Sequence, residues 1–143
     1  MTRGPLDEQR LAAFLLGFPE TTQENSFGPG VDVYKVAGRM FALLAGDPGA
    51  PTISLKCEPG RALALRAEYP AVTAGYHLNK AHWNSVRLDG SVPDDELLAM
   101  VEHSFDRVVA GMTRAVRTRL EGEPRPSPSR RGDGRGPRRG GRR

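Results

Sequence analysis

Residues able to do chemistry concentrate in one stretch, Gly75-Tyr76-His77-Leu78-Asn79-Lys80-Ala81-His82-Trp83-Asn84-Ser85-Val86. It holds the only Trp, two of the three His, one of the three Lys and two Asn. Recognition surfaces use such mixtures, because rings supply contact area while amides, imidazoles and ammonium groups supply direction. A nucleic acid would need cations for phosphate and amides or rings for bases. In the body of the chain the residues suited to that work are Lys35, Lys56, Asn79, Lys80, His82, Trp83, Asn84 and Arg87.

Each of these also has a plainer reading. On a strand that begins at Trp83, the residues Trp83, Ser85 and Arg87 share one face, and Asn84, Val86 and Leu88 share the other. If Val86 and Leu88 face the core, the Trp83 ring is turned outward with Arg87, where it can stack on a base or an Arg. A bulge would instead turn Trp83 inward as a core anchor. Asn79 and Lys80 suit a phosphate held at a bend, or Asn79 simply caps the turn with its own side chain. His77 and His82 are expected to bond neighbouring backbone rather than a ligand. All three Lys lie in or beside segments that read as strands, which fits positions wanting a compact ammonium, or equally a solvated face.

The sequence argues against several other chemistries. Cys57, His77, His82 and His103 are the soft ligands available, and their spacing matches no closed zinc site. No metal or cofactor is expected. Cys57 with a His is conceivable as a nucleophile, but nothing marks a base or an oxyanion hole. Gly28-Pro29-Gly30 lacks the spacing and the following helix of a phosphate-binding loop. The chain is not expected to be an enzyme. A lone Cys fits a reducing compartment, no apolar run approaches spanning length, and the first residues are polar too early for a signal peptide. A cytoplasmic protein without a membrane partner is the expectation.

Charge divides the chain in two. Residues 124–143 hold eight Arg and one Asp, a net of +7, while all 143 residues sum to +4, so the body is left at −3. Arg130, Arg131, Arg138 and Arg139 lie among Gly, Pro and Ser with almost nothing to bury, the composition of a disordered, phosphate-seeking arm. Eight such contacts would give a log–log salt slope of about −7 from the tail alone. The alternative is a solvated extension with no role. Arginine-rich arms also suit RNA, so the tail does not single out DNA. The body's net −3 opposes strong DNA binding by the folded part unless a local patch overrides it within a Debye length of about 8–10 Å.

The elements that must position these residues follow from periodicity. Pro5 to Phe18 reads as a helix with an acidic first turn, and Thr21–Phe27 as a polar segment with room for a short edge strand. Val31–Val36 and Arg39–Ala45 form a hairpin across Ala37-Gly38. Thr52–Lys56 is a third strand with Ile53 and Leu55 inward. Arg61–Tyr69 is a second helix with Ala62, Leu63 and Leu65 as its buried candidates. Strands are expected near Ala74–Leu78 and over Trp83–Leu88. Ser91 is expected to cap a last helix whose apolar stripe runs from Leu97 to Met112 and frays between Arg114 and Glu123. The result is one α+β domain of order α-β(3)-α-β(2)-α with an antiparallel sheet, residues 1–120, followed by a basic tail, residues 121–143.

With these pieces in place, the chain resembles the MmcQ/YjbR family of small bacterial proteins. The carrying residues are Val33-Tyr34-Lys35-Val36, Gly38-Arg39-Met40-Phe41-Ala42, Ile53-Ser54-Leu55-Lys56-Cys57, Gly75-Tyr76-His77-Leu78-Asn79-Lys80 and His82-Trp83-Asn84. Ser91-Val92-Pro93-Asp94-Asp95-Glu96-Leu97 and Ser104-Phe105 continue it, so the resemblance spans roughly residues 6–112. Arg39, commonly Lys in the family, and the tail depart from the pattern. The resemblance implies a fold like that of secretion chaperones and a DNA-binding role through two hairpin wings, with no catalytic residues. The reading is therefore a non-catalytic DNA-binding protein, with DNA favoured over RNA and the tail adding non-specific phosphate affinity. The alternative is a protein- or peptide-binding module.

Overall fold

The computed structural model describes residues 7–25, 27–46, 51–75 and 78–126. Tyr76, His77 and the tail arginines from Arg130 onward, Arg131, Arg138 and Arg139 included, lie outside the described residues.

The elements run α1 (Glu8–Leu16), β1 (Thr21–Glu24), β2 (Val31–Val36), β3 (Arg39–Ala45), β4 (Thr52–Lys56), α2 (Pro59–Glu68), β5 (Val72–Ala74), β6 (Trp83–Arg87), α3 (Asp94–Ala110) and α4 (Arg114–Glu121). The six strands make one antiparallel sheet in the order β1-β2-β3-β4-β6-β5. This is the expected α+β domain with an antiparallel sheet, but four strands rather than three precede α2, because β1 forms within Thr21–Phe27 as one edge of the sheet; β5 is the other edge. The β2–β3 hairpin turns tightly because Ala37 and Gly38 both take positive φ, at 48° and 86°, the conformation a two-residue hairpin turn requires.

One apolar cluster joins the helices to one face of the sheet. Tyr34, Ala42, Leu44, Ile53, Leu55 and Val86 supply the sheet side, while Leu11, Leu15, Leu97, Val101 and Phe105 supply the helix side. At its centre Phe18 lies 4.7 Å from Phe105, and Phe41 meets Phe105 edge-on at 5.3 Å. Residues that pair across strands share a face. Val33, Leu43, Ser54, Ser85 and Thr73 are successive cross-strand partners. None of them belongs to the core cluster, although Val33 is only 1% exposed. They lie on the second face, against which no described helix packs.

Several sequence expectations are corrected. Ser91 does not cap α3; its amide and hydroxyl both donate to Asp89 Oδ1, at 2.9 and 2.6 Å, while α3 starts after Pro93 without a side-chain cap. The last helix is two helices, because the chain turns at Gly111 and Thr113 caps α4 afresh. Leu63 is 63% exposed: α2 turns Ala62 and Leu65 to the sheet, and a neighbour one position from Ala62 points about 100° away. β5 lies at Val72–Ala74, earlier than expected. Packing also reaches past residue 120. Arg125 sits 4.9 Å over the Phe105 ring and pairs with Asp106 at 2.7 Å and Glu102 at 3.3 Å.

Candidate functional site

The residues singled out by sequence distribute over the second face of the sheet, the β5–β6 connection and the core. Trp83 decides the geometry. The β4–β6 register runs without a break from Thr52↔Arg87 to Lys56↔Trp83, so no bulge turns the ring inward. Trp83, Ser85 and Arg87 therefore point to the helix-free face, as do Thr52, Ser54 and Lys56 opposite them. Trp83 and Lys56 are half-buried and Arg87 is exposed. Among the described residues no second ring or cation stacks on Trp83, and neither Lys56 nor Arg87 forms an ion pair. Lys35 lies on the same face two strands away, but its ammonium is tied to Glu24 at 3.0 Å.

The floor beneath these groups is small and polar. Ser54 and Ser85, each 4% exposed, share a hydrogen bond at 2.8 Å between their hydroxyls. Thr52, Thr73, Ser85, Arg87 and Ser91 line an open cleft beside Pro70, and the Asp89 carboxylate borders it next to Arg87. β4, β5 and β6 contain no carboxylate. The acids gather in the helix layer instead, where α3 alone carries Asp94, Asp95, Glu96, Glu102 and Asp106 against one Arg. The acids of α3 are thus kept from the β4–β6 face, while Asp89 borders its Arg87 end.

Lys56 is held by an unusual join. The β3–β4 pairing stops at Ala42↔Leu55, one step before Phe41 would face Lys56. There the Ser104 hydroxyl of α3 enters: the Lys56 amide donates to Ser104 Oγ at 2.8 Å, and Ser104 Oγ donates to the Phe41 carbonyl at 2.5 Å. One hydroxyl replaces the missing ladder bond and fixes where β4 presents Lys56. Phe41 is also skipped on its other side, because β2 pairs Tyr34 with Ala42 and Lys35 with Met40.

Asn84 is withdrawn from the candidate surface. It is 3% exposed and faces α2, donating to the Ala62 carbonyl at 3.3 Å and accepting from Arg66 Nε at 2.7 Å. Its amide pins α2 to β6. Arg66 also donates through Nη2 to the Lys80 carbonyl, so one guanidinium ties the β5–β6 connection to the helix layer. Asn79 accepts from the Ala81 amide at 3.0 Å, the turn-capping role left open by the sequence. Lys80 is exposed, with its ammonium turned back to the Gly75 carbonyl at 3.3 Å. His82 does not make the expected backbone bond through Nδ1, which is buried with no partner among the described residues. Gly75 is required here, because a Cβ would lie 2.7 Å from Trp83 Cβ and 3.1 Å from the Trp83 carbonyl.

Cys57 and His103 line one small cavity with Arg61, Leu65 and Met100. Burial pushes the Cys57 thiol up, away from the thiolate. Burial, then the Arg61 and Arg107 cations, push His103 down, in keeping with Nε2 accepting from the Glu58 amide at 3.1 Å. Among the described residues no group of three or more His, Cys, Asp or Glu could hold a metal, and no helix is long and apolar enough to cross a membrane.

Signals that sequence reading missed are the roles of Ser104 and Arg66. Both act on backbone or side chains remote in sequence, Ser104 on a carbonyl 63 positions away. A small polar residue interrupting the α3 apolar stripe was the one available hint for Ser104.

Comparison with known proteins agrees with this architecture. The sequence model of the YjbR family matches residues 16–107. The Escherichia coli O157:H7 protein YbdF, described as uncharacterized, is 35% identical over 94 residues, 66% of this chain and 77% of its own length. YjbR of Escherichia coli K12, likewise described as uncharacterized, is 40% identical over 75 residues, 52% of this chain and 64% of YjbR. Among solved structures, Deinococcus radiodurans DR2400, with the domain DUF419, superposes with a TM-score of 0.74 at 34% identity, covering 79% of this chain and 86% of its own. A Pseudomonas syringae protein superposes at 0.63 with 25% identity, covering 71% and 97%. The family match spans the sheet, α2 and most of α3, and therefore the whole Lys56–Trp83–Arg87 face: the chain belongs to the YjbR family.

Proposed function

We propose that the protein is a non-catalytic DNA-binding protein whose folded body contacts the polymer through the helix-free face of β4, β5 and β6, with the arginine-rich tail adding non-specific phosphate affinity. The observation that carries this reading is the cross-strand pair Lys56–Trp83 with Arg87 further along β6, on a face with no carboxylate in its three strands. A half-buried ring beside Lys56, with Arg87 further along the strand, offers stacking and phosphate neutralisation together. Placing the acids of α3 in the opposite layer keeps their repulsion away from a bound polyanion, since exposed charges fade over about 8–10 Å at physiological salt.

The body and tail are separable by experiment. A chain ending at Pro126 keeps every described element, including the Arg125 contacts. In a mobility-shift titration it is expected to bind DNA more weakly than the full chain and with a flatter salt dependence. Lys56→Glu and Arg87→Glu are expected to abolish that residual binding. If the shortened chain shows no salt-sensitive binding, the face is not a DNA site; if it captures a peptide partner that survives nuclease treatment, the face serves protein recognition instead.

A further inference from the structure

We infer, on the basis of that functional reading, that the polymer taken by this face is single-stranded DNA, with one base stacked on Trp83 and the backbone running along β6 from Lys56 toward Arg87.

Width excludes a duplex groove. The DNA major groove is about 12 Å across and admits a helix or a two-stranded ribbon. Lys56, Trp83 and Arg87 lie on interior strands of a six-stranded sheet, with β3 on one side and β5 on the other. At about 4.8 Å between strands, such a sheet is roughly 24 Å wide. The flat face cannot bring an interior Trp to a base edge inside a groove. It can receive bases already out of the stack.

Spacing fits a strand. Lys56 is the direct cross-strand partner of Trp83, so their Cβ atoms lie about 5 Å apart. Arg87 follows four residues along β6, about 13 Å from Trp83 at the rise of an extended strand. A base on the ring thus has one cation beside it for its own phosphate and a second for a phosphate further along.

Hydroxyl chemistry points to DNA. Telling RNA from DNA needs a group that meets the 2′-hydroxyl. The two hydroxyls nearest Trp83 on this face, Ser54 and Ser85, bond each other at 2.8 Å and are almost fully buried. Neither is available to a ribose seated at the Lys56–Trp83 pair; the other strand hydroxyls of this face stand away from that pair, Thr52 across from Arg87 and Thr73 on the edge strand β5.

Trp83 is the only Trp in the sequence, so intrinsic fluorescence of the full-length chain reports this face and not the tail. The experiment titrates the full chain with a mixed-sequence 12-mer as single-stranded DNA, as the same sequence in duplex form, and as single-stranded RNA. Saturable quenching by single-stranded DNA, at least several-fold weaker response to duplex and RNA, and loss of the response in Lys56→Glu are expected. Equal or stronger quenching by duplex or RNA overturns the single-strand inference while leaving nucleic-acid binding by this face standing. Unchanged emission with all three polymers overturns the functional reading itself, whatever the tail binds.

Discussion

Ser104→Ala tests how the site is held. The hydroxyl stands between the Lys56 amide and the Phe41 carbonyl, at 2.8 and 2.5 Å, and the residue is completely buried. Alanine keeps the helix and nearly the same volume but removes the partner of both backbone groups. Leaving one buried backbone group unmade costs about 1–3 kcal/mol. Lys56 is half-buried, so part of its loss can be recovered by water, and the sum is about 2–4 kcal/mol. For a domain of this size each kcal/mol moves Tm by roughly 2–4 °C, so a fall of about 5–15 °C is expected. The assay is urea denaturation followed by circular dichroism, with Tm measured in parallel and the m-value expected to stay constant. Ser54→Ala is the control: it breaks a hydroxyl pair and orphans no backbone group, so its cost should stay below about 1.5 kcal/mol. A loss below about 0.5 kcal/mol for Ser104→Ala would refute the reasoning, because the strands would then close the Lys56–Phe41 bond unaided.

Other perturbations follow from the same contacts. Tyr34 is fully buried, its hydroxyl has no partner among the described residues, and burial, with Asp32 and Glu8 nearby, pushes its pKa up to about 12. A raised phenol pKa means the folded state holds its proton longer than the unfolded chain, so this contribution is complete below about pH 10 and lost as pH climbs toward 12. Tyr34→Phe should raise stability at pH 7 by about 1 kcal/mol and flatten the alkaline decline in a denaturation series. Gly75→Ala should cost about 1–3 kcal/mol, because the added methyl meets Trp83 backbone at 3.1 Å, and the Trp83 emission maximum should shift with it. Arg125→Ala loses two half-exposed ion pairs and a ring contact, so a loss of only about 1 kcal/mol is expected by thermal melting.

Local alternation made much of this architecture legible. The Val31–Ala45 hairpin follows from two alternating runs around Ala37-Gly38, and the outward set Trp83, Ser85 and Arg87 follows from period-two reading of one strand. What alternation cannot supply is the identity of the covering layer. Asn84 fell on the same face as Val86, yet a polar residue at a core-facing position reads as surface until Ala62 and Arg66 are seen to satisfy it. Leu63 read as core because α2 has few large apolar residues, and only the docked sheet shows which stripe is buried. Gly111 was too weak a signal to break an apolar stripe that continues to Met112. Arg125 read as tail by composition, while Phe105, Glu102 and Asp106 give it a place that no neighbouring residue foretells.

The most direct test of the central claim is a residue-resolved NMR titration of the isotope-labelled full-length chain with single-stranded DNA. The indole N–H of Trp83 gives a single signal, and the amides of Ser54, Lys56, Ser85 and Arg87 report the same face. The account predicts that these signals move together and saturate, while the amides of α3 between Asp94 and Asp106 stay in place. Shifts confined to residues 127–143, or centred on the helix layer with the Trp83 indole unmoved, would contradict it.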